Sequence, residues 1–562
     1  MPTLLQILRR TMLVPVCALA VATACESPID LTETPQTFVD PANYFRNAGE
    51  AINATNGIYG PLMTWDNWIS PAEQEVTCEG VDLSCPNWWA WGTSGPGSGY
   101  WFASRSWTAN FAVVRRANDV LAQLNKSTLD PVLVSRLKGE AHFLRGYAYF
   151  ELVRRYGEVP LRLTAYVPDG TYGEIARSPI PEVYKAIVTD MKAAASELPA
   201  NFSSKTFTAA DRGRPIAASA NGLLAKAYLT MAGKEANMGA VYYDSARKAA
   251  QLVMNDGNVK LETDFMKNFD WQTQITSAEN LWQIGATHQE NTGPEVGGFF
   301  NPQDYSTYGG GGSGNIMLRT SFYETYEPGD LRVKPGYAVY GEWFQGRDAT
   351  HPGIQTYLKF AVPDSITTQI PAASQNGWTY TDGGSCDTNG VNFYKLASGR
   401  TIGITPRVFT TKYQERVALT KSQNSTNPVI LRYADVLLVF AEAENEASGS
   451  PSAAAYAAIN QVRSRALLPD LQTFKPGLNQ AGFRDAVWLE RRHELAGEFQ
   501  EIFDTKRQGR WLDMVNNVVA SFPGARVPNA PTCKKRQGYQ ALFPLPDAEI
   551  GANRLIKQNP GY

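Results

Sequence analysis

Seven of the thirteen tryptophans fall in one short stretch: Trp65, Trp68, Trp88, Trp89, Trp91, Trp101 and Trp107, with Tyr100 among them. Gly92, Gly95, Gly97, Gly99, Pro86 and Pro96 interrupt regular structure there, so the spacing predicts a loop over 61–106. Flat aromatic faces suit the apolar face of a sugar ring or a peptide side chain, and each indole N–H supplies a donor at the rim. The same rings would equally serve to pin a long loop to the helices beneath. Trp107 opens a predicted helix and is assigned to the core. Trp88, Trp89, Trp91, Tyr100 and Trp101 are the leading ligand candidates, with Trp65 and Trp68 beside them. A second aromatic set, Trp343, Phe344, Trp378 and Tyr380, has Asn376, Asp382 and Asn389 nearby to bond hydroxyls. Trp378 and Tyr380 join the candidates, against the alternative of exposed loops with partly buried rings.

Other chemistries find less support. His493-Glu494 lacks the second histidine of a zinc-protease helix, because Gly497 stands in its place. Gly309 to Gly314 lacks the Gly-Lys-Ser/Thr ending of a phosphate loop. There are four histidines and no Gly-x-Ser-x-Gly elbow. Carboxylates are plentiful, but no pair is singled out as a hydrolytic acid and base. No catalytic residue, cofactor or metal ligand is assigned. Glu490, Glu494, Glu498 and Glu501 are expected to pair structurally with Arg491, Arg492 and Lys506. Glu140, Arg145, Arg154 and Arg155 are expected to make helix-surface or inter-repeat pairs. A net charge of −2 gives no reason to expect a nucleic-acid partner.

The first residues read as an export signal. Arg9 and Arg10 precede an apolar run, Met12 to Val21, too short to span a bilayer. Ala22-Thr23-Ala24-Cys25 then presents small residues before a cysteine, whose thiol is the group that bacterial lipoprotein processing acylates. Residues 1–24 are therefore expected to be removed, Cys25 to be lipidated, and 25–36 to act as a tether. Ordinary secretion remains the alternative for this cleavage site. After Cys25 no apolar run approaches a membrane span. Cys78 and Cys85 would close a short disulfide loop, and Cys386–Cys533 follows by elimination. No Cys-x-x-Cys spacing favours zinc instead.

The elements that must position these residues are mainly α-helical. Helices are predicted over 41–59, 107–124, 131–156, 181–198, 215–231 and 242–255, then over 431–447, 451–467 and 480 to about 505. The strongest, 131–156, carries Leu137, Ala141, Leu144, Ala148 and Leu152 on one stripe and Phe143, Tyr147 and Phe150 on a second. It should therefore pack on two sides. Short turns between helices of this size suggest tetratricopeptide-like pairs. The expected organisation is N-terminal helical repeats over 37–258, a long irregular, partly β insert over 259–428, and C-terminal helical repeats with a tail over 429–562.

Several segments resemble the SusD/RagB family of outer-membrane nutrient-binding lipoproteins. They are Phe38 to Phe45 with Asn56 to Tyr59, Lys138 to Pro160, Leu431 to Glu446, Ala457 to Arg465, Trp488 to Trp511 and Leu542 to Tyr562. The resemblance implies a surface-exposed, lipid-anchored protein of the outer membrane. Such a protein captures an oligosaccharide, or a peptide, near the early loop and delivers it to a SusC-like TonB-dependent transporter without chemistry. A secreted polysaccharide-degrading hydrolase and a protein-only helical adaptor stand as alternatives.

Overall fold

The computed structural model describes residues 45–63, 83–84, 101–166, 174–285, 317–318, 320–323, 325–334, 337–348, 355–358, 366–370, 392–396, 401–413, 415, 425–521 and 536–562. Cys25, Cys78, Cys85, Cys386 and Cys533 lie outside the described residues, as do the signal segment and tether. Among the described residues no helix is long and apolar enough to cross a membrane.

Six helices open the scaffold: α1 (Ala48–Met63), α2 (Trp101–Leu124), α3 (Pro131–Tyr156), α4 (Ile180–Glu197), α5 (Ala217–Ala232) and α6 (Val241–Met254). Each packs on the next in chain order. The series resumes after the strand-bearing middle of the chain, because α6 packs directly on α7 (Tyr433–Ser448), which in turn meets α8 (Ala453–Arg465) and α9 (Gln480–Glu494). The fold is thus mainly helical, with the middle segment looped out of a continuous array.

Helix α3 shows why these residues make these elements. Asp130 Oδ1 accepts from the backbone N–H groups of Val132 (2.8 Å) and Leu133 (3.1 Å), and Pro131 occupies the first turn, where its missing N–H costs nothing. Gly157, at φ 72°, ends the helix. Both predicted stripes are buried. Phe143 and Tyr147 meet Trp282 edge-on, with centroids 4.9 and 4.6 Å apart. Gly146 permits the close approach of α4, since a Cβ there would come within 2.5 Å of Met191 Cε.

Strands β1 (Leu83–Ser84), β5 (Met317–Leu318), β6 (Val339–Asp348), β7 (Gln355–Leu358), β8 (Ile366–Ile370), β9 (Asn392–Leu396) and β10 (Thr401–Thr410) form a seven-stranded sheet in the order β1-β5-β10-β6-β7. Strand β9 joins it through β10, and β8 joins through β9. Two smaller antiparallel pairs are β2 (Val159–Pro160) with β3 (Arg177–Ser178), and β4 (Asn280–Gln283) with β11 (Val429–Arg432).

Some predicted boundaries move. Helix α2 begins at Trp101, six residues before the expected start, and 61–63 belong to α1. Leu431 and Arg432 are strand, so α7 begins at Tyr433. The helix expected from 480 to about 505 divides into α9 and α10 (Glu501–Arg507). Between them Gly497 and Phe499 take left-handed φ values of 74° and 60°. The carbonyls freed by the break are not orphaned. Lys412 Nζ (3.0 Å) and Arg432 Nη2 (2.8 Å) donate to that of Glu494, and Tyr413 Oη donates to that of Gly497 (2.8 Å).

The charges of α9 and the turn after it serve structure, and many of their partners come from other elements. Glu490 pairs with Arg332 (2.7 Å) and Arg463 (3.2 Å). Glu494 pairs with Arg332 (3.0 Å), Arg432 (2.5 Å) and Arg465. Glu498 pairs with Arg432 (2.8 Å) and Lys412 (2.6 Å). Arg491 reaches Asp435 and Asp504, each at 2.8 Å. His493 Nε2 lies 2.8 Å from Thr325 Oγ1, and its ring stacks on Tyr326. Burial, reinforced by Arg332 and Arg492, keeps this imidazole neutral.

Two stability outcomes follow. Burial opposes ionisation of Glu494, but Arg465, Arg432 and Arg332 overcome it and hold its carboxyl well below the usual range. Glu279 and Asp435 shift the same way, whereas burial lifts Glu490. Glu494→Gln removes a buried carboxylate shared by three guanidinium groups, each of which keeps another carboxylate, and should cost about 3–5 kcal/mol in urea unfolding. A carboxyl depressed on folding stabilises the protein above its unfolded pKa of about 4.3 and loses that contribution as pH falls below it. Thermal melts should therefore show Tm falling steeply below about pH 4, and Glu494→Gln should flatten that dependence.

Candidate functional site

The predicted binding residues Trp65, Trp68, Trp88, Trp89, Trp91, Tyr100, Trp378 and Tyr380 lie outside the described residues. Trp101 is placed as the first residue of α2. Trp107 is in the core, 4% exposed, with Nε1 donating to Glu549 Oε2 at 3.3 Å and its ring against Phe111 and Tyr156. Trp343 and Phe344 occupy β6, opposite Arg407 and Pro406 of β10.

The two aromatic regions meet through backbone. Strand β1 lies inside the tryptophan-rich segment, and β5 lies in the middle of the chain, more than two hundred residues later. Leu83 pairs with Leu318 and Ser84 with Met317. Leu318 in turn faces Val408 of β10, which pairs along its length with β6. One sheet therefore carries a strand of the early segment and the strand bearing Trp343.

Two cavities are lined in part by α1, the helix that precedes the tryptophan-rich segment. One, of about 540 Å³, lies between α1 and α2 and is lined by Gly60, Pro61, Ser104, Arg105, Thr108 and Arg116 among others. Met63 and Trp101, which end and begin these helices, are the points where the chain enters and leaves the tryptophan-rich segment. Arg116 fixes the helix pair by donating to the carbonyl of Gly57 at 2.6 Å.

The second cavity, of about 320 Å³, is lined by Asn56, Tyr59, Arg212, Arg214, Ile275 and Gln283, together with Gly285 and Asn427. Its wall is set by Glu140 of α3, a fully buried carboxylate. Glu140 accepts from Tyr59 Oη (2.6 Å), Arg214 Nη1 (2.8 Å) and Arg136 Nε (2.7 Å). Arg214 also reaches Asn56 Oδ1 at 2.7 Å, and its guanidinium lies 5.3 Å from the Tyr59 ring centre. Desolvation, then the charge of Glu140, raises the Tyr59 hydroxyl well above its usual pKa, so it remains a proton donor. Gln283 is 5% exposed, and its Oε1 has no hydrogen-bond partner. The described lining offers guanidinium and amide donors, amide acceptors and one ring face. These are hydrogen-bonding groups, each able to donate to or accept from a polar ligand.

Residues 278–562 match the SusD family, and residues 100–229 match a family described as "Starch-binding associating with outer membrane". The chain belongs to the SusD family. Among SusD-like relatives, SusD-like protein P2 of Formosa agariphila is 28% identical over 95% of this chain and 96% of its own. A SusD homolog from Bacteroides thetaiotaomicron has the same fold, with a TM-score of 0.73 at 23% identity, over 94% of this chain and 99% of that one. A laminarin-binding SusD-like protein matches with a TM-score of 0.62 at 20% identity, over 92% and 99% of the two chains. Surface glycan-binding protein A from Bacteroides uniformis matches at 0.61 and 19%, over 91% and 99%. At these identities the structural matches establish the SusD fold.

Sequence reasoning passed over Arg214 and Gln283. Nothing in their spacing marks them, because each reaches the cavity through tertiary contacts. Tyr59 stood at the end of the predicted first helix, but its bond to Glu140 spans 81 positions. Tyr59→Phe removes one donor from a buried carboxylate and should cost about 1–3 kcal/mol in urea unfolding. Glu140→Gln, which leaves Arg136 and Arg214 facing a neutral amide, should cost more.

Proposed function

We propose that this SusD-family chain is a carbohydrate-binding protein of the outer membrane. It is anchored through acylated Cys25 on the cell surface, and it passes an oligosaccharide to a SusC-like TonB-dependent transporter without cleaving it. The observation that carries the reading is the pairing of β1 with β5. It joins the tryptophan-rich segment to the sheet whose strand β6 carries Trp343 and Phe344, and α1, which leads into that segment, lines a cavity of hydrogen-bonding groups. Stacking surfaces combined with hydroxyl-binding groups are what a saccharide requires: ring faces bury its C–H surface while amide and guanidinium groups meet its hydroxyls. The laminarin-binding and surface glycan-binding proteins of the same fold, and the starch-binding description of the matching family, support the ligand class. Lipid anchoring rests on the Ala22-Thr23-Ala24-Cys25 segment, and the transporter partner rests on the family.

The test is titration of the soluble protein beginning after Cys25 with laminarin- and starch-derived oligosaccharides, followed by calorimetry. Alanine at Trp88, Trp89 or Trp101 should weaken binding by about 1–3 kcal/mol for each ring that stacks, with an unchanged melt. Affinity indifferent to all three substitutions would remove them from the site, and a sustained rise in reducing ends would replace the binding function by hydrolysis. Cys25→Ala should release the protein from the membrane fraction.

A further inference from the structure

The cavity beside Tyr59 carries one charge that its own framework leaves uncompensated. Its wall and backing hold three guanidinium groups, those of Arg136, Arg212 and Arg214, and two carboxylates, Glu140 and Asp211. Both carboxylates are fully engaged. Glu140 Oε1 accepts from Arg136, and its Oε2 accepts from Tyr59 and Arg214. Asp211 Oδ1 accepts from Arg136 at 3.0 Å and from Arg214 at 2.7 Å. Its Oδ2 accepts from the backbone N–H and the hydroxyl of Thr208 at 2.8 and 2.7 Å. Three cations against two anions leave a single positive charge, and it falls on Arg212.

Arg212 lines the cavity, is exposed, and pairs with no carboxylate among the described residues. Gly213, at φ 91°, turns the chain between the two arginines. Arg214, its side chain 20% exposed, is drawn onto Glu140 and Asp211, while Arg212 stays open to solvent. The Arg212 guanidinium lies 5.8 Å from the Phe202 ring centre, a contact that steadies the arm without neutralising it.

A second accessible donor stands in the same lining. Asn56 is exposed, and its Oδ1 accepts from Arg214 Nη2 at 2.7 Å, so the amide is held in orientation with its Nδ2 left to donate. Neither donor is sealed inside the protein. Water meets both in the free state, and an acceptor entering the cavity can take its place. Two N–H donors, one of them charged, call for an acceptor-rich anion. A carboxylate answers with two oxygens, which the planar guanidinium fork binds through parallel, charge-assisted bonds. A neutral hydroxyl makes one weaker bond there. Ile275, 41% exposed, offers apolar surface to the ring that bears the carboxylate. The volume, about 320 Å³, suits a single sugar ring.

We propose that this cavity selects an acidic sugar, a pyranose bearing a carboxylate, with Arg212 taking the carboxylate and Asn56 as the neighbouring donor. That selection presupposes the saccharide binding proposed above and adds the charge of the ligand. The experiment uses saturation-transfer NMR and calorimetry on the soluble protein beginning after Cys25. The probes are the methyl glycosides of glucuronic and galacturonic acid, the neutral methyl glycosides of glucose and galactose, and acetate. At least one uronide should bind about tenfold more tightly than its neutral counterpart. That advantage should shrink as sodium chloride is raised. Arg212→Gln, a change at an exposed side chain, should remove the advantage while leaving the melt and the affinity for the neutral glycoside unchanged. Arg212→Lys, which keeps the charge but loses the fork, should retain part of it. Failure of both uronides to bind, equal affinity for acidic and neutral glycosides, or an advantage unmoved by Arg212→Gln would each overturn the proposal. The saccharide-binding function falls only if the neutral oligosaccharides of the earlier titration fail as well. Acetate bound as tightly as the uronides would reduce the site to one for bare anions and remove the sugar from the assignment.

Discussion

Arg432 and Glu494 are the charges on which the C-terminal half is organised. Neither is tolerable alone in the interior, where an ion stripped of water loses several kilocalories per mole. Together with Glu279, Arg465, Arg332, Glu490 and Glu498 they form an alternating lattice in which each guanidinium meets at least one carboxylate. The lattice draws from β11, α8, α9, the residue before β4, the turn after α9 and the turn at Asp330. It therefore joins the helical array to the base of the strand-bearing segment at a point where apolar packing alone would allow sliding. Guanidinium geometry suits that role, because planar, bidentate contacts fix direction as well as distance.

That fixed junction gives the sheet its value. Strands β5 to β10 leave the array after β4 and return at β11, so their position relative to the helices is set where the lattice sits. The two-residue ladder between β1 and β5 then carries the early segment toward the strands. A rigid platform of this kind lowers the ordering cost of whatever is built on it.

The helical scaffold was legible because its signals are local. The two stripes of α3, its Asp-Pro start and its glycine stop lie within the helix or beside it, and the structure buries or uses each of them. What the sequence concealed depends on distant partners. Glu490, Glu494 and Glu498 stand four apart among arginines, which reads as pairing with neighbours such as Arg491 and Arg492, yet their partners include Arg332 and Arg432, 162 and 62 positions from Glu494. The interruption after Glu494 has the same origin, since the groups that satisfy its free carbonyls come from Lys412, Tyr413 and Arg432. Trp101 was read as loop because glycines precede it; once Trp107 and Val113 are buried, the helix extends back to it. The aromatic candidates announce themselves by number and type but most lie outside the described residues, while Arg214 and Gln283 carry no local signature. Their unmatched or shared hydrogen bonds exist only after folding.

The far end of α3 is finished by residues from the other extreme of the sequence. Phe543 N donates to Arg155 O at 2.6 Å, and Asn559 Nδ2 donates to the carbonyls of Tyr156 and Phe543 at 3.0 and 2.8 Å. Arg177 Nη2 completes the clasp by donating to Asn559 Oδ1 at 2.6 Å. The contact between Asn559 and Tyr156 spans 403 positions, so early helices must wait for a late-made segment before their last carbonyls are sealed. Until that segment arrives, the nascent polypeptide holds an unlatched helix end whose last carbonyls lack their final partners.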